Sequence, residues 1–303
     1  MTDPVRLAFD LVPEPLTSEL RGCGIDPAAA YDHVARSAAE DVPGEDVTSA
    51  ATVPAEDRAT ADLVARADGV LAGRALAELV LHYVVGSALT LEPHLADGER
   101  VRRGDLVLTA HGPTGLLLTA ERTALNYLGH LSGIATTTAR WVQAVAGTRA
   151  RVRDTRKTVP GMRQLAKYAV RCGGGTNHRT SLSDQALVKD NHVLAAGGVL
   201  PAYRAVRERY PDLPVQVEVT TLGQLEELLE AGADQVLLDN MTTEEMARAV
   251  RIAGSRATLE ASGGLTVERA LEVAQTGVDF LAIGALTHSA QVLDIAMDLR
   301  PAA

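Results

Sequence analysis

The stretch QVLLDN, residues 235–240, decides the fold of the second half of this chain. In it a short apolar run ends in two polar residues, Asp239 and Asn240, and a helical pattern follows. The same arrangement recurs in RVRDTRK (151–157), ALVKDN (186–191), VQVEV (215–219), TLEASGG (258–264) and FLAIG (280–284). Short apolar runs followed by helices are typical of buried parallel strands. The six segments therefore predict repeated βα units.

The spacing of these segments supports the same architecture. From the second segment onward the closing residues lie 29, 21, 23 and 22 positions apart, at Lys189, Glu218, Asp239, Ser262 and Gly284. One strand, one helix and their loops fill such a distance. We therefore predict an incomplete (β/α) barrel with about six parallel strands, where a complete barrel has eight.

The first 130 or so residues have a different pattern. RALAELVLHYVVG (74–86) has apolar residues at helical spacing, whereas residues 91–113 alternate and contain DG and GD turns. The stretch 119–147 predicts one long helix or two consecutive helices. This half is therefore predicted to form a separate α+β unit.

Composition excludes several functional classes. The net charge of −10 argues against general binding of nucleic acid or of anionic membranes. No uncharged apolar run is long enough to span a membrane, and the N-terminus does not resemble a signal peptide. Two distant cysteines, Cys23 and Cys172, suit a reducing compartment. We expect a cytoplasmic protein in which any anion site is a local concentration of positive charge.

The closing residues of the segments carry both signs of charge. Active sites of (β/α) barrels lie at the C-terminal ends of the strands, so this rim is the candidate site. One interpretation is a network of structural ion pairs. The other assigns the cations to a polyanion and the acids Glu218 and Asp239 to Mg²⁺ or to positive charge in a transition state. The cations are Arg156, Lys157, Lys189 and the loop pair His178–Arg179.

Glycines close two of the late segments, in ASGG (261–264) and AIGA (282–285). Glycine allows backbone N–H groups to approach a phosphate at the start of a helix, which is the usual phosphate site of such barrels. With the charged residues, they indicate a phosphorylated, anionic substrate and a metal ion.

Lysine is rare in this chain, which has three lysines beside 26 arginines. Lys157 and Lys189 close consecutive predicted strands, where a compact ammonium suits a bound anion better than a planar guanidinium. The third, Lys167, lies in a helix that we expect to begin at Pro160. There Arg163, Lys167 and Arg171 form a cationic stripe, predicted to meet an acidic patch or a neighbouring subunit, or else to be a solvated face.

Three further residues are ambiguous from the sequence alone. His178, in CGGGTNHR, could belong to a flexible turn or bind a ligand, and His192 is expected to cap or pack rather than to bind a ligand. Arg122 lies on a helix before the barrel, where it could pair with Glu121. To reach the barrel rim it would need a domain or subunit contact.

Seven motifs in order resemble the nicotinate-nucleotide pyrophosphorylase (carboxylating) family, that is, the quinolinate phosphoribosyltransferases. They are ERTALNYLGHLSGIAT, RDTRKTVPGMRQLAKYAVRCGGGTNHR, LVKDNH, VEVTTLGQ, LLDNM, EASGG and FLAIGALTHSA. The resemblance runs from GEDVTS near residue 44 to the C-terminus. In GEDVTS the family more often has a tighter GDxT, so no role is placed on Asp46.

The resemblance implies that quinolinate and 5-phosphoribosyl-1-pyrophosphate give nicotinate mononucleotide, pyrophosphate and CO₂, with Mg²⁺. It also implies an N-terminal α/β sandwich domain, residues 1–129 joined by a C-terminal strand in 290–303, and a barrel domain, residues 130–289. The enzyme is then at least a homodimer, with Arg122 donated across the interface into the partner's site.

The resemblance also implies roles for individual residues. The residues that match the family's positions for binding the two quinolinate carboxylates are Arg122, Arg156, His178, Arg179 and Lys189. The residues that match the family's positions for binding phosphoribosyl pyrophosphate are Lys157, Glu218, Asp239, Asn240, Ser262, Gly263, Gly264, Gly284, Ala285 and Leu286. Catalysis is assigned to Lys157, Lys189, Glu218 and Asp239, and the metal to Glu218 and Asp239, directly or through pyrophosphate and water.

Two other interpretations stay open at this point. A paralogue of the same fold could act on nicotinate or serve molybdate transport, although nicotinate's single carboxylate needs fewer cations. A non-catalytic anion-binding barrel is the other possibility. Against it, a binder of anions gains nothing from acids at Glu218 and Asp239.

Overall fold

The computed structural model describes residues 6–301, which form two compact units. Unit 1 comprises the chain up to Thr137, Gln164–Gly173 and the chain from Ala290; unit 2 comprises Thr138–Arg163 and Gly174–Ser289. The predicted boundary between residues 129 and 130 stays a prediction.

Unit 1 is built from helices and antiparallel strands. Its helices are α1 (Glu14–Gly22), α2 (Pro27–Asp41), α3 (Val47–Thr52), α4 (Arg74–Val85), most of α5 (Thr114–Ala144) and nearly all of α6 (Arg163–Cys172). Its strands are β1 (Arg58–Ala65), β2 (Gly69–Val70), β3 (Thr90–Pro93), β4 (Arg100–Val101), β5 (Leu106–Pro113) and, last in the chain, β12 (Ile295–Pro301). The sheet order is β12-β1-β5-β3, and β2 pairs with β4.

The C-terminal segment reaches this sheet across helix α5. Residues 291–293 pass so close to α5 that a Cβ on Gly133 would lie 2.1 Å from the Gln291 carbonyl oxygen. The Leu293 N–H donates to the Gly129 carbonyl oxygen, 3.0 Å away. Two glycines one turn apart therefore allow the crossing, and β12 then pairs antiparallel with β1.

Unit 2 contains a parallel sheet flanked by helices. Its strands are β6 (Arg151–Arg153), β7 (Ala186–Val188), β8 (Val215–Val219), β9 (Gln235–Asp239), β10 (Thr258–Ser262) and β11 (Phe280–Ala282). Its helices are α7 (Asp190–Ala196), α8 (Val199–Arg209), α9 (Leu222–Glu230), α10 (Thr243–Ala253), α11 (Ala270–Gln275) and α12 (Ala285–His288). The sheet order is β6-β11-β10-β9-β8-β7. The predicted six parallel strands and the α/β class are confirmed.

Apolar burial explains the stability of this sheet. Val217, Val236, Leu238 and Ala261 are completely buried, as expected for strands covered on both faces. The register pairs Asp239 with Ser262 and Arg153 with Ala282, so the strands end at one edge. This edge is the rim on which the candidate residues lie.

The sequence was wrong about the helix that contains Lys167. Helix α6 begins at Arg163, because Pro160 and Gly161 form a turn in which Gly161 has a φ of 80°. Lys167 is buried, with 3% of its surface exposed, whereas Arg171 is exposed, so the predicted stripe does not form one continuous solvated face. Its meeting an acidic patch or a neighbouring subunit stays a prediction.

Within residues 6–301, no helix combines the length and the apolarity needed to cross a membrane.

Candidate active site

The rim of unit 2 brings acids and lysines together. Lys189 follows β7, Glu218 lies in β8 and Asp239 ends β9, so three neighbouring strands supply them. The Lys189 Nζ lies 4.0 Å from a carboxylate oxygen of Glu218, whose side chain is 13% exposed. Burial raises the pKa of Glu218, and the negative charge of Asp239 raises it further, while Lys189 and Lys157 oppose the rise. Glu218 therefore lies in the field of a second acid and of both lysines.

Lys157 is positioned by close backbone contacts. Its N–H donates to the Thr155 hydroxyl (3.0 Å), and its carbonyl accepts from the Thr287 hydroxyl (2.8 Å). A Cβ on Gly284 would lie 2.9 Å from the Lys157 Cδ and 3.2 Å from the His288 Nε2. Glycine at position 284 thus leaves space for the lysine side chain.

The predicted phosphate-binding glycines lie beside the end of β9. Gly263 and Gly264 have positive φ values, 94° and 58°. A Cβ on Gly263 would come within 2.3 Å of the Asn240 Oδ1, and the Asn240 N–H donates to the Ser262 carbonyl (3.0 Å). Asn240 itself has a φ of 53°, and its amide donates to Asp239 (2.7 Å). The segment is thus a tightly packed turn with glycine backbone.

Ala285 and Leu286 lie in the four-residue helix α12. Leu286 is completely buried, so only its backbone could contact a ligand.

Two arginines on this rim form no ion pair with an acid within residues 6–301. The buried Arg156 Nε meets no acceptor in the part of the chain that the structure describes. Burial lowers the pKa of Arg179, and the nearby positive charge of Arg156 lowers it further. The Arg179 guanidinium donates to the Gln185 carbonyl, 2.9 Å away. Asp184 offsets this lowering only in part. Two neighbouring cations without an ion pair are typical of a site for an anion.

His178 is held from several sides. Its side chain is 6% exposed, and its Nε2 lies 2.7 Å from the Gln216 Oε1. The Arg179 N–H donates to its Nδ1 (2.7 Å), and its own N–H donates to Asp154 (2.8 Å). His178 is therefore structured rather than part of a flexible turn.

His192 caps helix α7, because its Nδ1 accepts from the Lys189 N–H at 3.0 Å. Of the two roles considered for it, the structure gives it the capping role.

Arg122 belongs to unit 1, whereas the other predicted site residues belong to unit 2. Its side chain is 64% exposed and lies 3.7 Å from Glu121. It lines a groove of about 500 Å³, formed by residues 41–47 with Leu118 and Thr119. Asp46, which received no role, ties this loop to α5 by accepting from the Thr119 hydroxyl (2.9 Å). Hydrogen bonds from the Ser49 hydroxyl first, and then from the Ser49 N–H and the Thr119 hydroxyl, lower the pKa of Asp46.

Sequence reasoning missed three buried polar residues of unit 2. Gln216 and Glu260 are 2% and 1% exposed, and Asp154 is completely buried. Each lies in or directly after an apolar strand segment. A polar residue at an inward position of a buried strand was the signal that could have identified them, because such a residue needs a polar partner.

Comparisons with known proteins cover both units. Residues 46–132 match the N-terminal domain and residues 134–298 the C-terminal domain of quinolinate phosphoribosyl transferase. A nicotinate-nucleotide pyrophosphorylase [carboxylating] from Mycobacterium leprae is 50% identical over 92% of this chain and 100% of its own length. A probable enzyme of the same name from Bacillus subtilis is 38% identical, over 86% of this chain and 90% of its own length.

A solved structure agrees with these sequence matches. NadC from Streptococcus pyogenes superposes with a TM-score of 0.88 at 39% identity, covering 92% of this chain and 99% of that one. The predicted family resemblance is confirmed: this chain belongs to the quinolinate phosphoribosyltransferase family.

Proposed function

We propose that this protein is a quinolinate phosphoribosyltransferase of NAD biosynthesis, a pentosyltransferase. It converts quinolinate and 5-phosphoribosyl-1-pyrophosphate into nicotinate mononucleotide, pyrophosphate and CO₂. The observation that carries the proposal is the rim of unit 2, where Arg156 and Arg179, neither in an ion pair within residues 6–301, occur together with an acid pair and two lysines. The relative from Mycobacterium leprae, with its printed name, supports it.

Quinolinate is a dianion, and the cations are proposed to bind its carboxylates. Arg156 lies close enough to Arg179 to lower the pKa of Arg179, and a carboxylate between them would relieve that repulsion. Lys189, which follows β7, supplies a further positive charge. Arg122 and His178 complete the set implied by the family, His178 with both ring nitrogens already hydrogen-bonded.

Phosphoribosyl pyrophosphate is proposed to bind along the remaining strand ends. Lys157 neutralises the pyrophosphate, and the backbone of the turn after β10 and of the start of α12 receives the 5′-phosphate. The residues of that phosphate site are Ser262, Gly263, Gly264, Gly284, Ala285 and Leu286. Asn240 and the acids Glu218 and Asp239 face the ribose.

Mg²⁺ is the proposed cofactor, and the donor set fits it. Glu218 and Asp239 are close enough for Asp239 to raise the pKa of Glu218, and carboxylate oxygens are ligands that Mg²⁺ prefers. No cluster of three or more His, Cys, Asp or Glu side chains suited to a metal occurs within residues 6–301. Glu218 and Asp239 would therefore hold an ion together with substrate phosphates, where it would neutralise charge on the pyrophosphate.

The acids also explain how the reaction could proceed without a protein nucleophile. As the bond from ribose C1 to pyrophosphate breaks, positive charge develops on the ribose, and the carboxylates of Glu218 and Asp239 stabilise it electrostatically. The quinolinate nitrogen, held by the arginines, forms the new bond to C1. The positively charged ring then accepts the electron pair left when the adjacent carboxylate departs as CO₂, and that carbon takes up a proton.

We further propose a homodimer or higher oligomer in which Arg122 enters the partner's site. The support is its high exposure on a groove of unit 1, whereas the other site residues belong to unit 2. A cytoplasmic location is also proposed, supported by two cysteines that are both free thiols.

The test is an assay with purified protein, Mg²⁺ and phosphoribosyl pyrophosphate, with either quinolinate or nicotinate as second substrate. We expect mononucleotide and an equal amount of CO₂ with quinolinate only. Product from nicotinate alone, or none from either, would overturn the proposal.

A further inference from the structure

We propose that His178 is a positioning residue, held by Gln216 and Glu260, which fixes Arg179 beside Arg156. This rests on the proposed function, since Arg179 is there a quinolinate-binding residue. It changes the role implied for His178 from direct contact with a carboxylate to control of a neighbouring guanidinium.

The hydrogen bonds of the imidazole define its tautomer. A backbone N–H can only donate, so the Arg179 N–H at 2.7 Å requires a lone pair on the His178 Nδ1. The ring proton is then on Nε2, which donates to the Gln216 Oε1 at 2.7 Å. In this arrangement neither nitrogen has a proton left to donate to a substrate carboxylate.

The orientation of Gln216 is set by a buried ion pair. Its amide nitrogen donates to the Glu260 Oε2 (3.1 Å), which also accepts from Arg153 (2.8 Å). The Arg153 guanidinium lies 3.4 Å from the centre of the Phe280 ring. Because Glu260 accepts only, Gln216 must present its oxygen to His178.

These side chains come from strands that are not neighbours. Arg153 lies in β6, Gln216 in β8 and Glu260 in β10, and one strand separates each of these from the next in the sheet. Their contact shows that they occupy one concave face of the sheet. The chain Arg153–Glu260–Gln216–His178 therefore links the interior of the sheet to the loop that contains Arg179.

At Arg179 this linkage acts on the backbone. The His178 N–H is held by Asp154 and the Arg179 N–H by the His178 ring, so the main chain is fixed on both sides of this peptide. With the Arg179 guanidinium anchored at the Gln185 carbonyl, its position beside Arg156 is determined. Burial and the positive charge of Arg156 oppose the charge of Arg179, and Asp184 offsets them in part, so these hydrogen bonds help to hold the guanidinium in place before substrate binds.

The decisive experiment exchanges the side chains at positions 216 and 260. Glu260→Gln removes the buried charge that pairs with Arg153, and Gln216→Glu places two carboxylates in contact. The double variant Gln216→Glu/Glu260→Gln keeps one charge and can reform the hydrogen bonds to His178. In it, the amide introduced at position 260 would donate to the carboxylate introduced at position 216, which would accept from His178. We expect each single variant to raise the KM for quinolinate by about tenfold or more and the double variant to recover part of it, because the amide nitrogen that donates to position 216 cannot also accept from Arg153.

The KM for phosphoribosyl pyrophosphate should change by a smaller factor than the KM for quinolinate in all three, since neither position 216 nor position 260 is among its proposed ligands. Unaltered quinolinate KM values in folded single variants, or a double variant no better than either single one, would overturn the proposal.

A second measurement does not depend on turnover. Imidazole ¹⁵N–¹H correlation spectra, assigned by difference against His178→Gln, should show the Nε2–H tautomer for His178 in the substrate-free protein. An Nδ1–H tautomer would contradict the proposal. If the wild-type protein fails to use quinolinate, the proposed function fails, whereas the tautomer still tests the positioning chain.

A double-mutant cycle separates positioning from direct contact. If His178 acts through Arg179, the variants His178→Ala and Arg179→Ala should raise the quinolinate KM by similar factors, and their combination should add little. Independent, multiplying effects would mean that His178 contacts quinolinate itself.

Discussion

Arginines in the two units use the same side chain for opposite purposes. In unit 1 the buried Arg74 pairs with Glu78 and Glu19, and Asp97 accepts from the N–H groups of Gly73 and Arg74 at the start of α4. In unit 2 Arg156 and Arg179 lie close together with no ion pair to an acid in the described part of the chain. Arginines that the protein pairs with its own acids belong to the structure of the fold, whereas arginines without an ion pair are available to a ligand.

The largest effect expected from this comparison is on stability. Arg74→Met leaves the buried Glu78 and the partly exposed Glu19 without their partner, and should lower the free energy of unfolding by about 3–5 kcal/mol. Urea unfolding measures the change, and Arg74→Met/Glu78→Leu should recover part of it. Turnover per folded molecule should not change. A loss below about 1 kcal/mol would contradict the view that this cluster is structural.

On the rim the expected effect is on activity. Lys189→Ala and Glu218→Ala should each lower kcat/KM by about 10²–10³, because each group acts on charge that develops during the reaction. Stability should change by about 0.5 kcal/mol or less for the half-exposed Lys189. Lys189→Arg is the matched control: it keeps the charge and should stay impaired, because the planar fork does not replace a compact ammonium. Turnover at the parental rate in either alanine variant would refute these roles.

The proposed interface role of Arg122 predicts recovery on mixing. Arg122→Ala and Lys189→Ala should each be nearly inactive alone. A mixture that exchanges subunits should regain about a quarter of the wild-type activity, since half of random dimers are mixed and each has one intact site of two. Light scattering before and after subunit exchange measures the molar mass and verifies that the protein remains a dimer. No recovery in demonstrably mixed dimers would place Arg122 and Lys189 in the same site of one chain, or remove Arg122 from it.

The smallest expected effect is a shift in pH dependence. Glu218 has a raised pKa and must be ionised to stabilise positive charge, so kcat/KM should fall on acidification at a higher pH than for an ordinary glutamate. Asp239 contributes to the rise, so Asp239→Asn should lower the pKa of Glu218 and move this acid limb to lower pH. The residual activity of the variant suffices to locate the limb. A limb that stays in place or moves upward would mean that another group titrates.

Sequence reasoning reached the strands of unit 2 and the residues at their ends because both depend on local pattern. A buried parallel strand needs a continuous apolar run, and a polar residue must follow where the chain meets water. Lys189, Glu218 and Asp239 could therefore be placed on one rim from spacing alone. The role of Gln216 and Glu260 could not be predicted in this way. It depends on a contact between side chains from non-neighbouring strands, which meet only when the sheet curves.

Lys167 shows the same limit from the other direction. Arg163 and Arg171 lie four residues before and after it, so the local pattern of α6 indicated a charged face. The Lys167 side chain is nevertheless buried. Burial of a helix face depends on what packs against it, which spacing along one helix does not reveal.

The sequence by itself determined the α/β class, the six parallel strands and the family of this protein, because apolar periodicity and motifs are properties of short segments. Only the tertiary structure decided which nitrogen of His178 carries the proton and which arginines form no ion pair with an acid within residues 6–301. It also decided in which direction the pKa of Glu218 is shifted. Those properties arise from distances of 3 to 4 Å between residues tens of positions apart in the chain, and an electrostatic or hydrogen-bonded interaction exists only once folding has set those distances.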